Sequence, residues 1–112
     1  MSHRVLAVRR LTDSTFVLRL SREGLEFRAG EHVRLSRPGV PVYRDYSIYS
    51  AEAEPLLEVL VREVQGGSLS PVLGALSEGD EVDVHGPSGV FVLDPRRAPD
   101  AAHLLIATGT GI

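Results

Sequence analysis

Period-two alternation, broken every few residues by turn signals, is the strongest constraint on how this chain folds. In Val5-Leu6-Ala7-Val8-Arg9-Arg10-Leu11 and again in Thr15-Phe16-Val17-Leu18-Arg19-Leu20, apolar and polar residues roughly alternate. A strand sends successive side chains to opposite faces, so such runs predict strands with one buried and one wet face. Thr12-Asp13-Ser14 between them is turn-prone, and the pair reads as a hairpin. Phe27-Arg28-Ala29-Gly30 leads into a third strand over 31–36, and Arg37-Pro38-Gly39-Val40-Pro41 forms the next turn. A fourth strand is expected from about Tyr43 to Tyr49. After the acidic break Glu52-Ala53-Glu54-Pro55, a fifth runs from Leu56 to Val64. A sixth is expected over 81–85, then a turn at Gly86-Pro87-Ser88-Gly89 and a brief extended stretch from Val90 to Leu93.

One segment departs from this period. Leu69, Val72, Leu73 and Leu76 have helical spacing, and Ser70 before Pro71 is a plausible N-cap with proline at the first helical position. Ser68 is a competing cap. The expected fold is therefore mainly β: a six-stranded antiparallel Greek-key barrel with one short capping helix, closed so that no edge is left exposed. The barrel is assigned to residues 1–100. Residues 101–112 are set apart by the polar linker Asp94 to Asp100. There His103-Leu104-Leu105-Ile106-Ala107-Thr108 is a nearly unbroken apolar run, as in a strand buried on both faces of a parallel sheet. Such a strand is an orphan here. It is expected to open an α/β nucleotide-binding domain that is missing through truncation, disorder or a split gene, and to fold back on the barrel, stay disordered or self-associate with another copy.

Bulk properties exclude several functions. Twelve Lys and Arg against 15 Asp and Glu give a net charge of -3, which favours neither nucleic acid nor an anionic membrane surface. With three Tyr and three Phe the chain also lacks the rings of a base-stacking platform. No stretch approaches the ~20 apolar residues of a membrane helix. The absence of cysteine excludes disulfides and thiolate metal sites and fits a cytoplasmic setting. His3, His32, His85 and His103 are dispersed without ligand-like spacing, so no metal is expected.

Four short motifs carry candidate chemistry. Arg44-Asp45-Tyr46-Ser47 offers a guanidinium suited to phosphate, an aromatic plate suited to a flat heterocycle, and a hydroxyl able to meet a ring nitrogen. Taken singly it also reads as a surface Arg, a core Tyr and a strand Ser. Gly67-Ser68-Leu69-Ser70 opens the helix with free amides and hydroxyls, an anion site or plain capping. Gly86-Pro87-Ser88-Gly89 is a turn. Gly109-Thr110-Gly111 follows the apolar run, as nucleotide-facing turns do in doubly wound folds. On alternation, Asp45 and Ser47 face away from Arg44 and Tyr46, so a ligand held by the latter pair must sit at a strand end or edge.

The order of these elements resembles the ferredoxin–NADP⁺ reductase superfamily over about Val5 to Ile112. Phe27-Arg28-Ala29-Gly30-Glu31-His32-Val33, Leu69-Ser70-Pro71, Gly79-Asp80-Glu81-Val82 and Gly89-Val90-Phe91-Val92-Leu93-Asp94 look closest to the bacterial ferredoxin (flavodoxin) reductases. Ala107-Thr108-Gly109-Thr110-Gly111-Ile112 resembles the entry into the nicotinamide domain. The resemblance implies an FAD-binding barrel that works with NADPH or NADH and a one-electron carrier of ferredoxin or flavodoxin type. It implies that Arg44 binds the FAD pyrophosphate, that Tyr46 packs on the flavin, and that Ser47 lies near its reactive nitrogen. Tyr46 and Ser47 are then the residues nearest the chemistry. Gly67, Ser68, Leu69 and Ser70 would hold the pyrophosphate. Val61, Arg62 and Glu63 would line the ring edge, mostly through backbone, and Gly109, Thr110 and Gly111 would face the nicotinamide nucleotide. The fragment by itself is expected to be inactive toward NADPH. The rival expectations are the reductase part of an oxygenase system and a non-enzymatic barrel binding a nucleotide or protein.

Overall fold

A computed structural model describes residues 1–92 together with Ala102 and Leu104. Among the described residues six strands form: β1 (Ser2–Arg10), β2 (Thr15–Ser21), β3 (His32–Ser36), β4 (Arg44–Ser47), β5 (Leu56–Arg62) and β6 (Glu81–Ser88). One helix, α1 (Ser70–Gly74), lies between β5 and β6. The strands make one antiparallel sheet in the order β4-β3-β6-β1-β2-β5, the non-sequential arrangement of a Greek key. The ends of that order meet at the isolated bridge Ile48↔Val59, supported by a 2.7 Å bond from the Tyr49 N–H to the Glu58 carbonyl. The sheet is thereby closed into the expected barrel.

β1 starts earlier than its alternation suggests because it serves two partners. Ser2, His3 and Arg4 pair with β6, while Val5 to Arg10 pair with β2. The β1–β2 register jumps from Val5↔Leu20 to Ala7↔Arg19, which leaves Leu6 as an extra residue on β1. Such a bulge reverses the parity of the strand. Val5 faces the core before it and Val8, opposite Leu18, packs against the core after it, while the exposed Arg10, opposite Phe16, lies over that ring. β6 has a second bulge. His32 pairs with Ser88 but Arg34 with His85, so the strand absorbs one extra residue at Gly86-Pro87. The expected turn there is in fact the end of β6, since a bulge tolerates a proline that cannot donate to the ladder. Gly86, at φ +107, takes the kink. The chain then bends at Val90 and Val92, with a bond from the Val92 N–H to the Val90 carbonyl (2.9 Å), instead of extending.

The core is aliphatic, with Phe16, Leu18, Leu20, Val33, Leu35, Leu57, Val59 and Val61 fully buried. Leu69 and Leu73 plug one end from α1. The helix is shorter than its spacing predicts, ending where Ala75 and Leu76 turn back onto Val72 and Leu73. At the same end Arg10 lies 4.9 Å from the Phe16 ring centroid and pairs with Glu63 at 3.2 Å. The linker and the tail, apart from Ala102 and Leu104, lie outside the described residues.

Leu18 sits at the centre of this packing, so Leu18→Ala is expected to destabilise the barrel by about 2–5 kcal/mol. A urea titration should show the midpoint falling with an unchanged slope.

Candidate functional site

Antiparallel pairing continued from Ile48↔Val59 would set Tyr46 against Val61 and Arg44 against Glu63. Among the described residues that pairing does not form, and the seam between β4 and β5 splays open. A hollow of about 320 Å³ occupies the gap. Arg44, Asp45 and Tyr46 line one side, Arg62 and Val64 the other, and Gly67, Ser68, Leu69 and Ser70 its floor. Seven of the residues singled out from sequence are thus brought together: Arg44, Tyr46, Arg62, Gly67, Ser68, Leu69 and Ser70.

Each wall has a local cause. Tyr46 pairs with Val33, is half-buried and packs against the core, while its neighbour Arg44 reaches solvent. Burial holds the Tyr46 hydroxyl above the usual phenol range, with the Arg44 charge acting the other way. The Arg44 guanidinium donates to the Tyr43 carbonyl at 2.8 Å and, among the described residues, makes no ion pair. Asp45 turns to the opposite face, where its carboxylate meets Arg34 at 2.9 Å. That hydrogen bond holds Asp45 below the usual carboxylate range and raises Arg34. The acid next to Arg44 is therefore engaged elsewhere, as strand alternation requires.

The floor is a loop stapled to β5. The Val64 N–H donates to the Ser70 hydroxyl oxygen at 2.8 Å, and the Gly67 N–H to the Val64 carbonyl at 2.8 Å. Ser70 does not cap α1. The cap position is Leu69, which has no side-chain cap bond, and Pro71 occupies the first turn. A side chain at Gly67 would meet the Val64 carbonyl oxygen at 2.8 Å, so only glycine lets the loop close this tightly.

The other sequence candidates lie around the hollow. Ser47 is exposed and pairs with His32 on β3. Val61 sends its side chain into the core opposite Phe16. Glu63 lies on a neighbouring hollow of about 390 Å³ with Asp13 and Gly66. Gly109, Thr110 and Gly111 fall outside the described residues. Sequence reasoning missed Val64, whose apolar side chain gave no chemical signal, although it is the last residue of the run that predicts the fifth strand. Among the described residues no cluster of His, Cys, Asp or Glu is placed to hold a metal, and no helix is long and apolar enough to cross a membrane.

A family model described as the oxidoreductase FAD-binding domain matches residues 6–93. The chain is 40% identical over 117 residues to a ferredoxin–NADP reductase B from Sorangium cellulosum, covering 97% of this chain and 46% of that protein. It is 38% identical over 94 residues to the reductase subunit of an aromatic O-demethylase from Amycolatopsis, covering 80% of this chain and 28% of that one. It spans about half the length of the ferredoxin reductases it matches. Among solved structures, a ferredoxin NADP⁺ reductase from Neisseria gonorrhoeae with bound FAD and NADP aligns with a TM-score of 0.66 at 28% identity, over 77% of this chain and 38% of that one. A cytochrome P450 reductase from Amycolatopsis aligns with a TM-score of 0.75 at 36% identity, over 84% and 29%.

Two outcomes follow from the site's polar contacts. Ser70→Ala removes the acceptor for the Val64 N–H and should cost about 1–3 kcal/mol in a denaturant titration. Asp45→Asn should lower stability slightly at neutral pH. Because the folded-state pKa of Asp45 is depressed, its contribution is present above the ordinary value near 3.8 and lost below it. The difference between variant and wild type should therefore close as the pH falls through that range, which thermal melts across the acid range would reveal.

Proposed function

The chain belongs to the oxidoreductase FAD-binding domain family, and we propose that it forms the flavin bed of an NAD(P)H-dependent reductase of the ferredoxin–NADP⁺ reductase type. The observation that carries the reading is the splayed β4–β5 seam, which sets an exposed Arg44 and a half-buried Tyr46 over the Gly67–Ser70 loop. The donor set suits FAD: a cation for the pyrophosphate, a flat ring for the isoalloxazine, and a close-packed glycine loop. The hollow is at the small end for a ligand pocket, so much of so large a molecule would lie over the barrel surface.

When bound, FAD accepts a hydride and passes electrons on singly. The chain's own residues bind and orient. Arg44 donates its guanidinium N–H groups to phosphate oxygens, and amides of the Gly67–Ser70 loop add hydrogen bonds. Tyr46, braced against the core, offers its face to the ring. Ser47 at the end of β4 would place its hydroxyl at the ring edge, and Arg62 would flank that edge with the backbone of Val61. Glu63, held by Arg10, lines the neighbouring hollow with Asp13 and Gly66. Gly109, Thr110 and Gly111 would belong to the nicotinamide-nucleotide side. The one-electron partner would be a ferredoxin or flavodoxin, with NADPH or NADH as reductant, in the cytoplasm. The likeness to the aromatic O-demethylase reductase subunit favours a second reading, in which the partner is an oxygenase and the flavin bed is the same.

Absorbance of the chain after incubation with FAD and gel filtration, beside a form extended beyond Ile112, tests the proposal. Flavin bands in neither would sink it. Arg44→Leu is expected to weaken FAD by roughly ten- to a hundredfold, the equivalent of about 1.5–3 kcal/mol for a hydrogen bond to a charged group. Riboflavin, which has no phosphate, should bind wild type and variant alike.

A further inference from the structure

Two consecutive residues just past β5 hold both ends of α1. The Val64 N–H donates to the Ser70 hydroxyl oxygen, at the first residue of the helix, at 2.8 Å. Glu63 acts on the last residue through an intermediary. Its carboxylate takes one guanidinium nitrogen of Arg10 at 3.2 Å, and that same nitrogen donates to the Gly74 carbonyl at 3.5 Å. Arg10 ends β1 and lies over the Phe16 ring, so the bridge is braced against the core. α1 itself has no side-chain cap bond and no basic residue in its last turn. Arg10 supplies from β1 the cation that the carbonyl end of a helix favours.

Gly74 is shaped to this pair. A side chain there would fall on the Glu63 carboxylate oxygen and lie 2.9 Å from the Arg10 nitrogen and 3.3 Å from the Phe16 ring. The pair fits beneath the helix because that position is glycine. Alternation just past β5 then separates two tasks. Arg62 and Val64 line the hollow at the seam, while Glu63 between them turns under α1. A helix running only from Ser70 to Gly74 is too short to hold its own shape in water, so tertiary contacts set its placement. The Gly67–Ser70 loop runs directly into it. How α1 sits therefore sets how the floor of the hollow sits.

We propose that Arg10 and Glu63 are positioning residues: their pair, bridged to the Gly74 carbonyl, fixes α1 and through it the Gly67–Ser70 floor. Neither side chain lines the hollow itself. That the floor holds the phosphate end of FAD rests on the flavin reading above; the positioning of the floor does not.

Amide hydrogen exchange on the flavin-free full chain tests the assignment, with Arg10→Gln, Glu63→Gln and Gly74→Ala beside wild type. The first two remove the charge pair. In the third, the added methyl pushes the flexible ends of Arg10 and Glu63 aside while favouring the helix itself. Exchange at Val64 and Gly67 is expected to quicken roughly three- to tenfold in all three, as for loss of a charged hydrogen bond at a partly exposed site. The Leu18 amide, in the middle of β2, should keep its rate. FAD should weaken by a similar factor, whereas riboflavin, which has no phosphate, should bind all four proteins alike. Unchanged exchange at Val64 and Gly67 would overturn the proposal. So would equal quickening at Leu18, the mark of a general loss of stability, or equal weakening of FAD and riboflavin. If wild type bound neither flavin, the flavin reading would fall and the exchange rates alone would still decide the positioning role.

Discussion

The fold depends on how the barrel closes. Five strand pairings are extended ladders, two of them bulged, but β4 and β5 meet through a single bridge at Ile48↔Val59 and the adjoining bond from Tyr49 to Glu58. That one closure does two things. It joins the ends of the sheet, so the aliphatic core is enclosed and neither end strand presents a full unpaired edge. It also stops short, so that β4 and β5 part immediately afterwards and leave a gap beside the core. A completely paired seam would give a tighter barrel with no hollow between Tyr46 and Arg62. The site is thus a local failure of sheet pairing, placed where two strands far apart in the chain are forced together.

What keeps the gap from collapsing is the loop beneath it. Ser70 spends its hydroxyl on the Val64 N–H, Gly67 brings its backbone against Val64, and Leu69 is buried between them as part of the core. The loop is anchored to the core, because one of its residues, Leu69, belongs to both. The charges follow a similar division. Asp45, beside Arg44 in sequence, is drawn across β3 to Arg34, and Glu63 is drawn to Arg10. Arg44 and Arg62 are then the cations lining the hollow, the counter-charge that the proposed flavin pyrophosphate would need.

Much of this was legible in the chain itself. The alternation of Thr15 to Leu20 and of Leu56 to Val64 marks β2 and β5, and their apolar residues are the core. The ordered set Arg44-Asp45-Tyr46-Ser47 and Gly67-Ser68-Leu69-Ser70 supplies most of the hollow's lining. Three things were not legible, each for a physical reason. The bulge at Leu6 reverses the parity of β1, and a bulge has no composition of its own. Gly86-Pro87-Ser88 reads as a turn because its residues favour turns, yet pairing with His32 keeps it in β6. Ser70 has the residue type of a helix cap, but the Val64 amide, just past β5, takes its hydroxyl instead.

Sequence by itself therefore settled the class of fold, the strands, the side chains of the core and the residue types able to meet a nucleotide, because period-two burial and turn chemistry act over a few neighbouring residues. Tertiary structure alone decided where the barrel closes, that β4 and β5 separate beyond Ile48, which carboxylate neutralises which arginine, and that Arg10, Glu63 and Gly74 meet under α1. Those outcomes depend on registers between strands distant in the chain. A register is set by the packing of the whole sheet, including its bulges, and no local pattern of residues encodes it.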